Sequence, residues 1–185
     1  MKHLSATIFL TLTTLLLLIS DNLSAQNPRT QSSGIYGLTE LNLGYGLQGD
    51  VQPNYIGYTG LTALGGYWFT KSLTAGLGTG ILAYNGSNAV PLYFEAGYFF
   101  REFGLGKMRI FLKADAGLLF RLNGNVDPVR FYGNPSVGML IPISWQKDIS
   151  VSLGYFTQYE QRLSEATTTY QLTNFINAKI GLRFY

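Results

Sequence analysis

The sequence has no cysteine, and its single histidine, His3, falls within the first few residues. Without cysteine there can be no disulfide, no lipid-acylated N-terminal Cys and no thiolate chemistry. Without a histidine beyond His3, the rest of the chain cannot build Ser-His or Cys-His nucleophilic systems, His general bases or the usual zinc sites. Charge is also scarce. Asp, Glu, Lys and Arg make up 12% of the residues, against about 25% in an ordinary soluble domain. The formal net charge of +3 is not gathered into a basic stripe, so nothing points to nucleic acid. The glycine runs GLGTG and GYG lack a following Lys-Ser/Thr, which makes them poor phosphate loops. Long apolar runs are missing as well. The one candidate, Ile8 to Ile19, is shorter than the roughly 20 residues of a spanning helix.

That run has a different explanation. Lys2 precedes it, and polar residues and the small pair Ser24-Ala25 follow it. This is the layout of a secretory signal peptide cleaved before Gln26. The expected organisation is a signal peptide over 1–25, a short segment over 26–33 and one domain over 34–185.

What is abundant is glycine, tyrosine and phenylalanine, at 22, 13 and 12 residues. They fall into eight segments of strand length, near 34–47, 55–69, 73–84, 90–100, 108–122, 129–143, 149–161 and 170–184. Turn chemistry separates them at Gly49-Asp50, Pro53-Asn54, Asn85-Gly86, Asn123-Gly124, Asp127-Pro128 and Lys147-Asp148. Side chains alternate within the segments. Ile110, Leu112, Ala114, Ala116, Leu118, Phe120 and Leu122 share one parity. Arg109, Lys113, Asp115, Gly117 and Arg121 share the other. Successive strand residues face opposite sides, so all these charges face one way. The first, fourth, seventh and eighth segments repeat the pattern. The second, YIGYTGLTALGGYWF, has apolar residues on both parities and stays unphased.

A soluble ligand-binding barrel and a membrane barrel share this alternation, with opposite faces inside. Gly44, Gly46, Gly76, Gly78, Gly80, Gly97, Gly117, Gly138, Gly154 and Gly181 all fall on the polar parity. A narrow lumen needs small residues beside long ones, whereas a solvated surface does not. The polar face is therefore expected inside and the apolar face against lipid. Aromatic residues at the ends of alternate segments, Tyr67-Trp68-Phe69, Phe99-Phe100, Trp145 and Phe184-Tyr185, are expected to form one interfacial girdle. The expected fold is all-β: an eight-stranded antiparallel up-and-down transmembrane β-barrel.

The stretches GYWFTKSLTAGLGTGILAY, VPLYFEAGYFF, RIFLKADAGLLF and NFINAKIGLRFY resemble the small eight-stranded outer-membrane barrels common in Bacteroidota, similar in architecture to the OmpA and OmpX type. The resemblance spans the whole of 34–185. It implies the outer membrane as location, with outer-membrane lipid and the assembly machinery as partners. It implies no particular activity.

The residues expected to face the lumen and form a polar network are Glu40, Glu95, Arg109, Lys113, Asp115, Arg121, Arg130, Glu160, Arg162, Lys179 and Arg183. Buried charges must be paired, so packing alone calls for such a network. An acid/base pair or a cation site is the competing interpretation of the same carboxylates. No catalytic residue, metal or cofactor is expected. A structural or interaction role in the envelope is the leading expectation. A ligand-binding barrel, in the membrane or lipocalin-like in the periplasm, comes next, and a narrow pore after that. The loops 48–54, 85–89, 123–128 and 162–169 would lie outside the cell.

Overall fold

The computed structural model describes residues 34–47, 57–84, 87–104, 107–122, 129–164 and 167–185, with side chains described except at 160–171. The expected signal peptide and the segment 26–33 lie outside the described residues.

Eight strands follow one another: β1 Gly34–Gly46, β2 Gly57–Trp68, β3 Leu73–Tyr84, β4 Ser87–Phe99, β5 Arg109–Arg121, β6 Val129–Pro142, β7 Lys147–Ser164 and β8 Thr167–Phe184. Each pairs antiparallel with its neighbours, and β8 returns to β1 to close the barrel. Closure removes the free edges that an open sheet would present. Gly34, Tyr185 and the turns after β2, β4 and β6 gather at one rim, the terminal end. The opposite strand ends, among them Gly46 and Gly57, Tyr84 and Ser87, and Ser164 and Thr167, form the far end.

Short polar turns at the terminal end are built from their own side chains. Thr70 Oγ1 accepts from the backbone N–H groups of Ser72 and Leu73, at 3.2 and 3.0 Å. Ser144 Oγ accepts from the N–H of Gln146 at 3.3 Å. The β4–β5 connection turns through Gly104 and Lys107, both with positive φ, at 69° and 51°.

Several strands outrun the segments read from sequence. β4 begins at Ser87 rather than 90, and β7 and β8 pair up to Ser164 and Thr167. Most of the added residues are polar (Ser87, Asn88, Thr167, Thr168), with Ala89 and Leu163 the apolar exceptions. Backbone ladders continue wherever N–H and C=O groups find partners, whether or not the side chains alternate in polarity. Residues 87–89 of the expected loop 85–89 therefore belong to β4, and 162–164 and 167–169 of the expected loop 162–169 to β7 and β8.

The unphased strand is resolved. Tyr58, Thr62, Leu64 and Trp68 of β2 point inward and are buried, while Leu61 and Tyr67 are exposed. Apolar residues occupy both faces because the lumen itself contains apolar layers: Leu38, Leu64, Leu82, Leu119 and Leu140 are all buried inside.

Candidate functional site

The barrel wall brings three layers of side chains into the lumen. The middle layer is charged. Lys113 on β5 reaches across to Glu40 on β1, Nζ to Oε1, at 2.6 Å. The same ammonium lies 3.0 Å from Glu95 Oε2 on β4. Lys179 on β8 meets Asp115 on β5 at 2.6 Å and stands 3.9 Å from Glu40 Oε2. Opposite walls are thereby cross-linked through their side chains.

Register explains why these groups meet. Asp115 faces Asn134 directly on β6, and Asn134 Nδ2 donates to Asp115 Oδ2 at 3.0 Å. Asp115 also faces Glu95 on β4, a like-charge pair that would be unfavourable on its own. The two lysines separate that pair, one on each carboxylate. Glycine makes the space. Glu40 faces Gly181, where a Cβ would stand 2.7 Å from Glu40 Cγ, and Lys113 faces Gly97. Asn42 Nδ2 donates to Thr62 Oγ1 at 3.0 Å, and Tyr36 OH donates to Glu95 Oε1 at 3.4 Å.

Toward the terminal end lies a layer of rings and guanidinium groups. Trp68 and Phe99 pack with centroids 4.6 Å apart. Arg183, fully buried, lies over Tyr36 at 4.4 Å, Phe99 at 4.7 Å and Trp68 at 5.4 Å. Arg109 covers the same two rings, Trp68 at 5.3 Å and Phe99 at 5.4 Å. It also donates to the carbonyls of Phe100, at 3.1 Å, and Lys71. Desolvated guanidinium on an aromatic face is favourable by about 2 kcal/mol, so rings hold both cations, and backbone carbonyls hold Arg109 as well.

Toward the far end lies a second aromatic layer. Tyr58 contacts Tyr84 at 5.3 Å, Phe156 at 5.2 Å and Phe175 at 5.4 Å, and Tyr132 stacks on Phe156 at 5.0 Å. Asn177 Nδ2 donates to Tyr58 OH at 3.2 Å, tying this layer to the charged one. Above it, Arg121 and Arg130 line the mouth with Gln158 and Ser87.

Of the residues expected to form one network, Glu40, Glu95, Lys113, Asp115 and Lys179 meet in the middle layer. Arg109 and Arg183 lie in the terminal layer, and Arg121 and Arg130 beyond the far aromatic layer. The side chains of Glu160 and Arg162 lie outside the described residues. The girdle requires a correction. Trp68 and Phe99 point inward and are buried, at 8% and 1% exposure. They have the parity of lumen residues and fill the terminal layer. Tyr67, Phe69, Tyr98, Phe100, Phe103 and Trp145 are the exposed aromatics among the described residues at that rim.

The lumen aromatics were missed, though their signal was present. Tyr36 has the parity of Glu40, Tyr93 that of Glu95, Phe111 that of Lys113 and Phe156 that of Gln158. Four of the lumen rings have a glycine across the ladder, while Phe156 faces Phe175. Tyr36 faces Gly66, Tyr58 faces Gly44, Tyr93 faces Gly78 and Gly117, and Phe111 faces Gly138. At Gly44 and Gly78 a Cβ would come within 2.1 and 2.3 Å of the opposing ring.

Closed topology, an apolar exterior and a packed polar interior define a transmembrane β-barrel fold. Three solved outer-membrane barrels share it. Neisserial surface protein A superposes with a TM-score of 0.57 at 11% identity, covering 83% of this chain and 99% of that one. OprG of Pseudomonas aeruginosa gives 0.55 at 8% identity, covering 83% and 96%. The N-terminal barrel domain of P. aeruginosa OprF gives 0.52 at 18% identity, covering 83% and 98%. No protein-family model and no curated protein sequence matches the chain.

Proposed function

We propose that this chain is an integral outer-membrane barrel with a structural or interaction role in the cell envelope, its lumen plugged, and that it is not an enzyme. The inversion of faces carries this reading. Phe131, Tyr45 and Leu77 project outward at 70%, 67% and 66% exposure, while Glu40, Glu95, Lys113 and Arg183 are buried. In water that distribution would forfeit the hydrophobic gain of most outward side chains. In lipid it satisfies both faces. Along β5, the outward residues from Ile110 to Leu122 span about 30 Å at the usual strand rise and tilt, close to the apolar band of such barrels. The exposed aromatics of the terminal end form a belt at one interface, and we assign that rim to the periplasm, the side on which such barrels keep their short turns. Lipid and the assembly machinery are the partners this placement implies.

The absence of a histidine in 34–185 and the pairing of every carboxylate of the middle layer with a lysine favour structural ion pairs over acid/base chemistry. Fractionation of expressing cells, with gel mobility compared before and after boiling, tests the reading. Recovery in the outer membrane with a heat-dependent mobility shift is expected. Recovery in the soluble periplasm would overturn it.

A further inference from the structure

The fold collects charges that the sequence scatters. Lys71, Arg101, Lys107 and Lys147 come from three different connections, yet all stand exposed on the terminal rim. Glu102 is the exposed carboxylate set against them among the described residues of that rim. Asp148, nearby on β7, is buried and accepts from Tyr185 OH at 2.5 Å. Among the described residues none of the four cations is ion-paired. An exposed ring accompanies a cation in each turn. Phe69 precedes Lys71 by two residues, Phe100 adjoins Arg101, and Trp145 precedes Lys147 by two. The turns fix these pairs. Arg109 donates to the carbonyls of Lys71 and Phe100, which ties the first two turns together. The Lys147 carbonyl accepts from the N–H groups of Ile143 and Ser144, both at 3.0 Å. Asp148 points inward, so Lys147 beside it has the outward parity, and its ammonium lies 5.8 Å from the Phe184 ring centroid.

We propose that this rim binds the headgroups of anionic phospholipids, of the phosphatidylglycerol class, in the leaflet it meets. The proposal rests on the membrane placement argued above and adds the charge of the lipid. Exposed aromatic rings settle at headgroup level in a bilayer, so cations one or two residues beyond them reach the phosphate layer. Their long aliphatic stems lie along the apolar wall while the charged ends stay in the polar layer. Lys and Arg at an anionic membrane surface gain binding through charge, whereas a zwitterionic headgroup offers no net charge in return. The three turns join alternate pairs of strands, β2 to β3, β4 to β5 and β6 to β7. The cations are therefore spread around the rim and do not converge on one pocket. An extended anionic surface matches that spread, and a single dissolved anion does not.

Trp145 reports on the rim, because Trp68, the other tryptophan, is buried in the lumen. The purified protein is reconstituted into vesicles of equal phosphatidylglycerol and phosphatidylcholine. In one set the first lipid carries brominated acyl chains, which quench tryptophan, and in the other set the second does. Both leaflets have the same composition, so the result does not depend on which way the barrel inserts. Quenching should show phosphatidylglycerol favoured at Trp145 by about fivefold, the order expected of one cation at an anionic surface. Lys147→Gln should make the two lipids equal there, and Lys71→Gln, in another turn, should leave the preference in place. Salt at 1 M, where the Debye length falls to about 3 Å, should reduce the preference of the wild type. Boiling-dependent gel mobility checks that each variant is folded. Equal quenching by both lipids in the wild type would overturn the anionic assignment while leaving the barrel in lipid. A preference that survives Lys147→Gln would overturn the role of the cation. No quenching by either lipid would remove the membrane placement itself. Equal quenching beside salt-sensitive binding to isolated peptidoglycan would give the rim to the cell wall and overturn the lipid assignment.

Discussion

Lys113 has the most to lose from a single change. Its ammonium lies between Glu40 and Glu95, and removing it takes the paired lysine from Glu95 and leaves Glu40 only Lys179, 3.9 Å away. Breaking a buried pair from one side costs about 3–5 kcal/mol. Lys113→Met should therefore lower unfolding stability by about that amount, measured by urea titration in liposomes. Adding Glu40→Gln and Glu95→Gln to Lys113→Met should recover most of the loss, because the uncompensated charges go with it. If the triple variant is no more stable than the single one, the lysine's aliphatic stem, and not its charge, is what the site needs. Glycine offers a second test at this scale. A Cβ at Gly117 would meet the Leu92 carbonyl oxygen at 2.1 Å, whereas one at Gly37, on the outer face, meets nothing within 4 Å. Gly117→Ala should destabilise by about 1–3 kcal/mol. Gly37→Ala should be neutral within about 0.5 kcal/mol.

Strands are where the sequence was most legible. Alternation in the fifth segment assigned both faces correctly, since Lys113 and Asp115 are buried and Ile110 and Leu112 are exposed. It succeeded because lipid and lumen demand opposite polarity at successive residues. It failed on β2 because lumen layers above and below the charges are themselves apolar, so polarity stops reporting direction there. Trp68 and Phe99 were assigned outward for the same reason. Ends of β4, β7 and β8 were read short because the ladder persists past the apolar band. The polar partners themselves were legible by parity, but which of them meet depends on diagonal and cross-lumen geometry that parity does not contain. At this scale a charge scan along β5 checks the depth assignment. Ala116 sits midway between the outward ends Ile110 and Leu122. Ala116→Arg should cost about 2–4 kcal/mol in a bilayer, and Leu122→Arg about 0–1 kcal/mol, by the same urea titration. Equal costs at the two positions would remove the membrane midplane from β5.

Taken whole, the molecule is a tube stopped at three levels. Eight strands leave an interior just wide enough for side chains, and here each level closes differently. The terminal level is rings with guanidinium groups, the middle is ion pairs, and the far level is rings again. Ions crossing such a lumen must displace all three, so the wild type should show no steady conductance in planar bilayers. Removing one level should not be enough. Tyr58→Ala with Phe156→Ala opens the far aromatic layer, but the Lys113–Glu40 bridge below still spans the lumen at 2.6 Å. Lys113→Ala alone leaves both ring layers in place. Combining the three substitutions removes two adjacent levels and leaves the terminal rings as the last constriction. That variant should show brief, low-amplitude openings, and adding Phe99→Ala should lengthen them. Steady conductance in the wild type would mean that the layers part readily at equilibrium, and the barrel would then have to be read as a pore. Silence in the fourfold variant, with its fold verified by mobility on boiling, would mean that the wall collapses onto the lost volume instead of holding it open.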